Sequence, residues 1–218
     1  MSSDSGTEPK RVNVYIDGFN LYHAIVALGD HKLKWINLKE LGKSFLRPGE
    51  TLNRVIFFTA VLTWDMQKQQ RHKNYIRAQH AVGVEVVQSN FRKMSRHCRV
   101  MDRYCARHEE KQTDVAIAVS LLGDGVRDDY QRAILITADS DQVPLVKQAI
   151  SMFPGKIITL AAPPERGGEA RELGSLLPAK ERTPISSARL RACALPRNVY
   201  DAGGKLVATM PALYSGNS

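Results

Sequence analysis

Val55 to Leu62 is nearly all apolar and rich in β-branched and aromatic residues. A run of that length suits a strand buried on both faces. Val12-Asn13-Val14-Tyr15-Ile16 predicts a shorter strand that stops at Asp17-Gly18, and a helix follows over Asn20–Leu28. A second helix is predicted over Asn37–Phe45, closed by Pro48-Gly49. Asp65 is placed to cap a long polar helix that ends near Ala81, with Gly83 as its stop signal. Further strands are predicted at Val84–Val87, Ala133–Thr137 and Lys156–Leu160, and helices at Thr113–Leu122, Val143–Met152 and Glu169–Leu177.

Strands that alternate with helices predict an α/β fold with a central, mostly parallel sheet covered on both faces. Residues 1–11 read as a disordered leader and 12–177 as the domain, with a basic Cys- and His-containing insertion at 92–110 expected to be a loop. From Pro178 the character changes. Pro178, Pro184 and Pro196 punctuate a basic segment, and Asp201-Ala202-Gly203-Gly204 reads as a turn between two short extended pieces. Residues 178–218 are therefore expected to be an extended tail that wraps the domain or joins a second copy in a homo-oligomer.

Composition narrows the class. Apolar residues make up 43% and charged residues 24%, a globular balance that argues against disorder. Lys and Arg number 31 against 22 Asp and Glu, for a net charge of +9, which suits a polyanionic partner such as nucleic acid. Three cysteines do not make a disulfide framework, and the polar Met1–Arg11 carries no apolar signal core. The longest apolar stretch is far short of the roughly 20 residues that span a bilayer. These features point to the cytoplasm, with no membrane association.

The acidic residues carry the candidate chemistry. Asp17 ends the first strand, Asp139 follows the Ala133–Thr137 strand, and Asp141 lies two residues later. Ligands of open α/β sheets bind beyond the carboxyl ends of the strands, so these acids share one edge. Asp114 heads a helix whose Ile117, Ala118 and Leu121 form an inward apolar face. Such a carboxylate needs a partner, a cap or a metal, and several together repel one another unless a hard cation such as Mg²⁺ or Mn²⁺ lies between them. Taken singly, Asp17, Asp114 and Asp139-Ser140-Asp141 also fit as a turn residue, a first-turn acid and a helix cap.

Three segments together resemble the motifs of the NYN domain family, PIN-like ribonuclease domains that include a LabA-like bacterial group. They are Tyr15-Ile16-Asp17-Gly18-Phe19-Asn20-Leu21, Glu110-Lys111-Gln112-Thr113-Asp114-Val115 and Thr137-Ala138-Asp139-Ser140-Asp141, and their order and spacing match across about residues 12–162. Leu195-Pro196, Gly203-Gly204-Lys205 and Met210-Pro211 resemble the C-terminal stretch of the bacterial members. The resemblance implies a PIN-like three-layer α/β/α fold and Mg²⁺- or Mn²⁺-dependent endonucleolytic cleavage of RNA. By position it implies Asp17, Asp114, Asp139 and Asp141 as metal ligands. Asn20 would bond a metal water or the phosphate, and Ser140 would orient the acids. General metal chemistry then gives in-line attack by an activated water, leaving a 3′-hydroxyl and a 5′-phosphate.

The basic residues suggest where RNA would lie. Arg71 and Lys73 on the helix after Asp65, and Arg92, Lys93 and Arg96 in the insertion, could follow a phosphate backbone, with Tyr75 or Phe91 stacking a base. A solvated charged face explains the same residues. His97, Cys98, Cys105 and His108 lack a Cys-x-x-Cys pair, so zinc is not expected. A haloacid-dehalogenase-type phosphatase is disfavoured by Phe19, which stands where a second acid is needed. A metal-dependent glycosyltransferase would leave Asp17 and Asp114 unused. The strongest rival is a non-catalytic RNA-binding or scaffold protein.

Overall fold

The computed structural model describes residues 8–98 and 103–215, of which 90–98 and 103–111 are described by backbone alone. Strand β1 (Lys10–Asp17) is buried on both faces from Val12 onward. Helix α1 (Gly18–Ala27) begins at once, with Asp17 as its N-cap. Gly18 permits this abrupt turn through close approach: a Cβ there would stand 2.5 Å from the Phe58 carbonyl oxygen. Helix α2 (Leu38–Lys43) and strand β2 (Glu50–Ala60) follow. Helix α3 (Met66–Ala81) has the predicted Asp65 cap, which accepts from the Lys68 backbone N–H at 2.9 Å.

Strands β3 (Glu85–Cys98) and β4 (Arg103–Lys111) come next, then helix α4 (Thr113–Val126) and strand β5 (Arg132–Ile136). Helix α5 (Val143–Met152), strand β6 (Ile157–Ala162) and helix α6 (Arg171–Ser175) complete the predicted alternation. The sheet runs β4-β3-β2-β1-β5-β6-β7, where β7 is Arg182–Pro184, and every pairing is parallel except β3 with β4. Apolar side chains of α1 and α2 pack on one face and those of α4, α5 and α6 on the other. This is the expected three-layer α/β/α arrangement.

The expected loop at 92–110 is instead an antiparallel hairpin, with Asn90 opposite Lys111 and Cys98 opposite Arg103. Pairing of β3 with β2 stops at Ser89 opposite Ala60, so the hairpin projects past the carboxyl edge of the parallel sheet. Its polar sequence lacks the apolar run that marks a buried strand, and the signal that builds it is pairing between two distant stretches of backbone. The side chains of Phe91, Arg92, Lys93, Arg96, His97, Cys98, Cys105 and His108 lie outside the described set, as does the question of zinc among them.

After Pro178 the chain lies along the domain. Strand β7 adds an edge to the main sheet, and helix α7 (Ser187–Ala192) sends Leu190 into the core shared with α1 and α2. Strands β8 (Asn198–Tyr200) and β9 (Leu206–Thr209) then pair across the turn at 201–204. That hairpin packs on α3 around Trp35, Ala78, Leu195, Val199 and Ala208. Among the described residues, no helix is long and apolar enough to cross a membrane.

Candidate metal centre

Strand order reverses between β1 and β5: the chain proceeds from β1 outward to β2 and β3, then returns to β1's other side. Beyond the carboxyl ends at such a switch point the flanking loops part and leave a crevice. Asp17 stands at one lip, at the end of β1, and Asp139 at the other, just past β5. Asp114 arrives from a third direction. Strand β4 runs back to the carboxyl edge, and Gln112 turns the chain with φ of 87°, a left-handed conformation that non-glycine residues rarely hold. Helix α4 then starts at Thr113, whose hydroxyl donates to Ser89 Oγ at 3.0 Å.

One carboxylate oxygen from each of Asp17, Asp114 and Asp139 lies within 4.8 Å of the others. Fixed partners hold each acid. Asp17 Oδ1 accepts from the Asn20 backbone N–H at 3.0 Å, and Oδ2 accepts from Thr137 Oγ1 at 2.9 Å. The Asp139 N–H donates to the same Thr137 hydroxyl at 3.1 Å. Gln142 Nε2 donates to Asp114 Oδ1 at 2.8 Å. The Ala138 N–H donates to Asn20 Oδ1 at 2.9 Å, tying the two lips together and leaving the Asn20 amide nitrogen as a donor beside the acids.

Burial pushes the Asp17 carboxyl up to about 6, and the charges of Asp114 and Asp139 add to this against hydrogen bonds from Asn20 and Thr137. A buried acid that ionises reluctantly beside two others fits a cation ligand. The donor set is all oxygen, as Mg²⁺ and Mn²⁺ require. The cleft measures about 280 Å³, and Phe19, His23 and Arg166 also line it.

The positions expected from sequence divide here. Asp17, Asp114, Asp139 and Asn20 converge. Asp141 is exposed and stands outside the three-acid group, where its backbone N–H donates to Asp139 Oδ1 at 3.0 Å. Ser140 is also exposed, and the hydroxyl bonded to the acids is Thr137's. Arg71 and Lys73 lie on α3, away from the cleft, with Arg71 half-buried and Lys73 exposed.

Tyr75, expected from the sequence to stack a base, lines no part of the acid cleft. Its hydroxyl donates to the Ile36 carbonyl at 3.0 Å and its ring stands edge-on to Phe57, so it belongs to the packing beneath α3. Thr137, Gln142 and Arg166 went unassigned in the sequence. Thr137 and Gln142 flank the Asp139 motif, a signal that was available. Arg166 lies four residues past β6, on a turn where Glu165 has φ of 59°, and only the fold brings it to the cleft.

A crystal structure of a protein of unknown function from Vibrio parahaemolyticus superposes with a TM-score of 0.55 at 18% identity, covering 86% of this chain and 98% of that one. At that identity the likeness concerns the fold. The chain is also 24% identical to 6-hydroxy-3-succinoylpyridine 3-monooxygenase HspA of Pseudomonas putida, over 88% of this chain and 72% of that protein. The model of the NYN domain matches residues 11–173, which take in all but the first residue of β1, the switch point and all three clustered acids. With most of its length matched, the chain belongs to the NYN domain family.

Proposed function

We propose that this protein is a divalent-metal-dependent endoribonuclease with its active centre at Asp17, Asp114 and Asp139. The observation that carries the reading is the approach of these carboxylates to within 4.8 Å at the switch point of the sheet. Asp17, Asp114 and Asp139 would hold a Mg²⁺ or Mn²⁺ ion, which when bound would supply neutralisation of charge on the scissile phosphate and a more acidic water. The chain's own groups do the rest. Thr137 and Gln142 fix the orientation of Asp17 and Asp114, so that little reorganisation is needed when phosphate enters. Asn20 offers its amide nitrogen to a phosphate oxygen or a water. Arg166, which also lines the cleft, can supply a guanidinium to the phosphate.

RNA as the substrate is supported by the net charge of +9 and by the projecting hairpin, which carries Arg92, Lys93 and Arg96 from the same edge as the acids. A strand crossing the cleft would meet these positions as it leaves. The test is to incubate a structured and an unstructured RNA with the protein in Mn²⁺, with and without chelator, beside Asp17→Asn. Metal-dependent cleavage lost in the variant supports the reading. Absence of cleavage with either Mg²⁺ or Mn²⁺ rejects it in favour of a non-catalytic RNA-binding role.

The similarity to a pyridine monooxygenase favours a second reading, oxidation of a small heteroaromatic acid, a reaction that needs dioxygen and a reductant. Oxygen consumption with such a substrate, unaffected by RNA, would separate it from phosphodiester hydrolysis.

A further inference from the structure

A second cavity, of about 300 Å³, opens between α1, β2 and α3, and Phe19 separates it from the acid cleft. Its walls are mostly apolar and include the rings of Phe19, Tyr22, Phe57, Tyr75 and Tyr214. Apolar walls of this size suit one flat ring system, because stacked and edge-on contacts reward a planar guest.

Polar groups in the cavity are few and placed with purpose. Thr59 is buried at 2% exposure, and its hydroxyl lies 3.0 Å from His72 Nε2. A hydroxyl bonded once keeps further hydrogen-bonding capacity, so this pair can read one heteroatom in the plane of a ring. Burial pushes the His72 imidazole down to about 4, which keeps it neutral and adds no charge to the interior.

Half-buried Lys34 and Arg71 also line the cavity. Among the described residues neither has a carboxylate within ion-pair distance. Burial lowers the Lys34 ammonium and the nearby Arg71 charge lowers it further, so two like charges lie close together, with Lys34 Nζ 3.2 Å from His31 Nδ1, Arg71 bonded to the Tyr214 hydroxyl and Asp65 acting on Arg71 from the start of α3. An anion placed there would remove that repulsion.

We infer that this cavity binds a planar heteroaromatic ring carrying an anionic group, with the ring against Phe57 and Tyr75 and the anion on Lys34 and Arg71. Two sources share that chemistry, a nucleotide and a free aromatic carboxylate. The inference does not depend on phosphodiester cleavage, since none of the three clustered acids lines this cavity.

The experiment is calorimetric titration of the full chain in chelator, where no turnover occurs. The probes are a set of nucleoside 5′-monophosphates, nicotinate and benzoate, with uncharged nucleosides and inorganic phosphate as controls. At least one ring-bearing anion should bind, and each control at least tenfold more weakly. Lys34→Gln and Arg71→Gln should each weaken that binding about tenfold. Binding by nucleotides but not carboxylates assigns the cavity to a nucleic-acid strand, and the reverse assigns it to a free aromatic acid. The inference is overturned if no ring-bearing anion binds, if inorganic phosphate binds as well as a nucleotide, or if both variants bind like the parent. Because metal is absent, failure here leaves the nuclease reading standing, and failure of RNA cleavage leaves this site standing.

Discussion

Gln142, 1% exposed, donates its side-chain amide to Asp114 across 2.8 Å and so joins the start of α5 to the start of α4. The two residues are 28 positions apart, and the bond fixes one face of the acid cluster from behind. Replacing Gln142 with Leu keeps an approximate volume and removes the donor. Supporting partners of metal ligands commonly account for 10–100-fold in metal affinity. Gln142→Leu is therefore expected to weaken Mn²⁺ binding by about that factor, with the far-ultraviolet circular dichroism unchanged. Mn²⁺ titration checks it, and parental affinity in the variant would show that Asp114 needs no such support.

Asp17→Asn should abolish RNA cleavage and yet stabilise the metal-free protein. The folded carboxyl ionises near 6 and an ordinary Asp near 3.8. Between those values the folded state holds the extra proton, so stability falls as pH rises through that window and stays low above it. The penalty is at most about 3 kcal/mol, from 1.36 kcal/mol per unit. Asparagine can still accept from the Asn20 N–H with its single carbonyl oxygen, and its amide nitrogen can donate to the Thr137 hydroxyl in place of the bond now accepted by Oδ2. Urea midpoints at neutral pH in chelator should be higher for the variant. Added Mn²⁺ should raise the melting temperature of the parent only.

His72 gives the opposite slope. Its imidazole is held near 4 by burial, against 6.5 for an ordinary histidine. As pH falls from 6.5 toward 4 the unfolded chain takes up the proton first, so stability is lost through that window. The slopes of Asp17 and His72 therefore oppose one another between about 6 and 4. Asp17→Asn should steepen the loss toward acid, and His72→Gln should make acid stabilising instead. Denaturation at pH 4.5, 5.5 and 6.5 for the three proteins decides the matter, and parallel curves would refute the assignment of both groups.

Arg166→Ala is expected to lower kcat/KM for RNA by about 10–100-fold, the range for a charge-assisted contact of 1.5–3 kcal/mol. Mn²⁺ affinity should be unchanged or slightly tighter, since a nearby positive charge is removed. A variant that cleaves at the parental rate would remove Arg166 from the site. Its exposed partner Glu169 serves as the control, because Glu169→Gln should leave cleavage within about twofold.

Asp141 and Asp17 separate two designs of the centre. If the three clustered acids hold the ion, Asp141→Asn should reduce cleavage by less than about tenfold, whereas Asp17→Asn removes several kcal/mol of transition-state stabilisation. Equal losses in a parallel rate measurement would show that Asp141 reaches the ion after all.

Local sequence determined a large share of this molecule. The apolar run before Ala60, the Asp65 cap and the bounds of α5 are short-range signals, and each appears where propensity and periodicity put it. The alternation of strands and helices determined the layered α/β class, because each element must bury its own apolar face. Strand-end positions brought Asp17 and Asp139 to one edge. Long-range pairing decided the rest. The polar strands beyond Ser89 have no apolar pattern to announce them, since two backbones bonding to each other satisfy a hairpin whatever its side chains. Thr137 and Gln142 were written beside the motif, but their partners Asp17 and Asp114 lie 120 and 28 residues away. Asp141 failed to join the acids although only two residues separate it from Asp139, because a 3-10 turn over Ser140–Gln142 directs successive side chains apart. Which neighbours in sequence become neighbours in space is a property of the closed fold, where burial and hydrogen-bond geometry act on all elements at once.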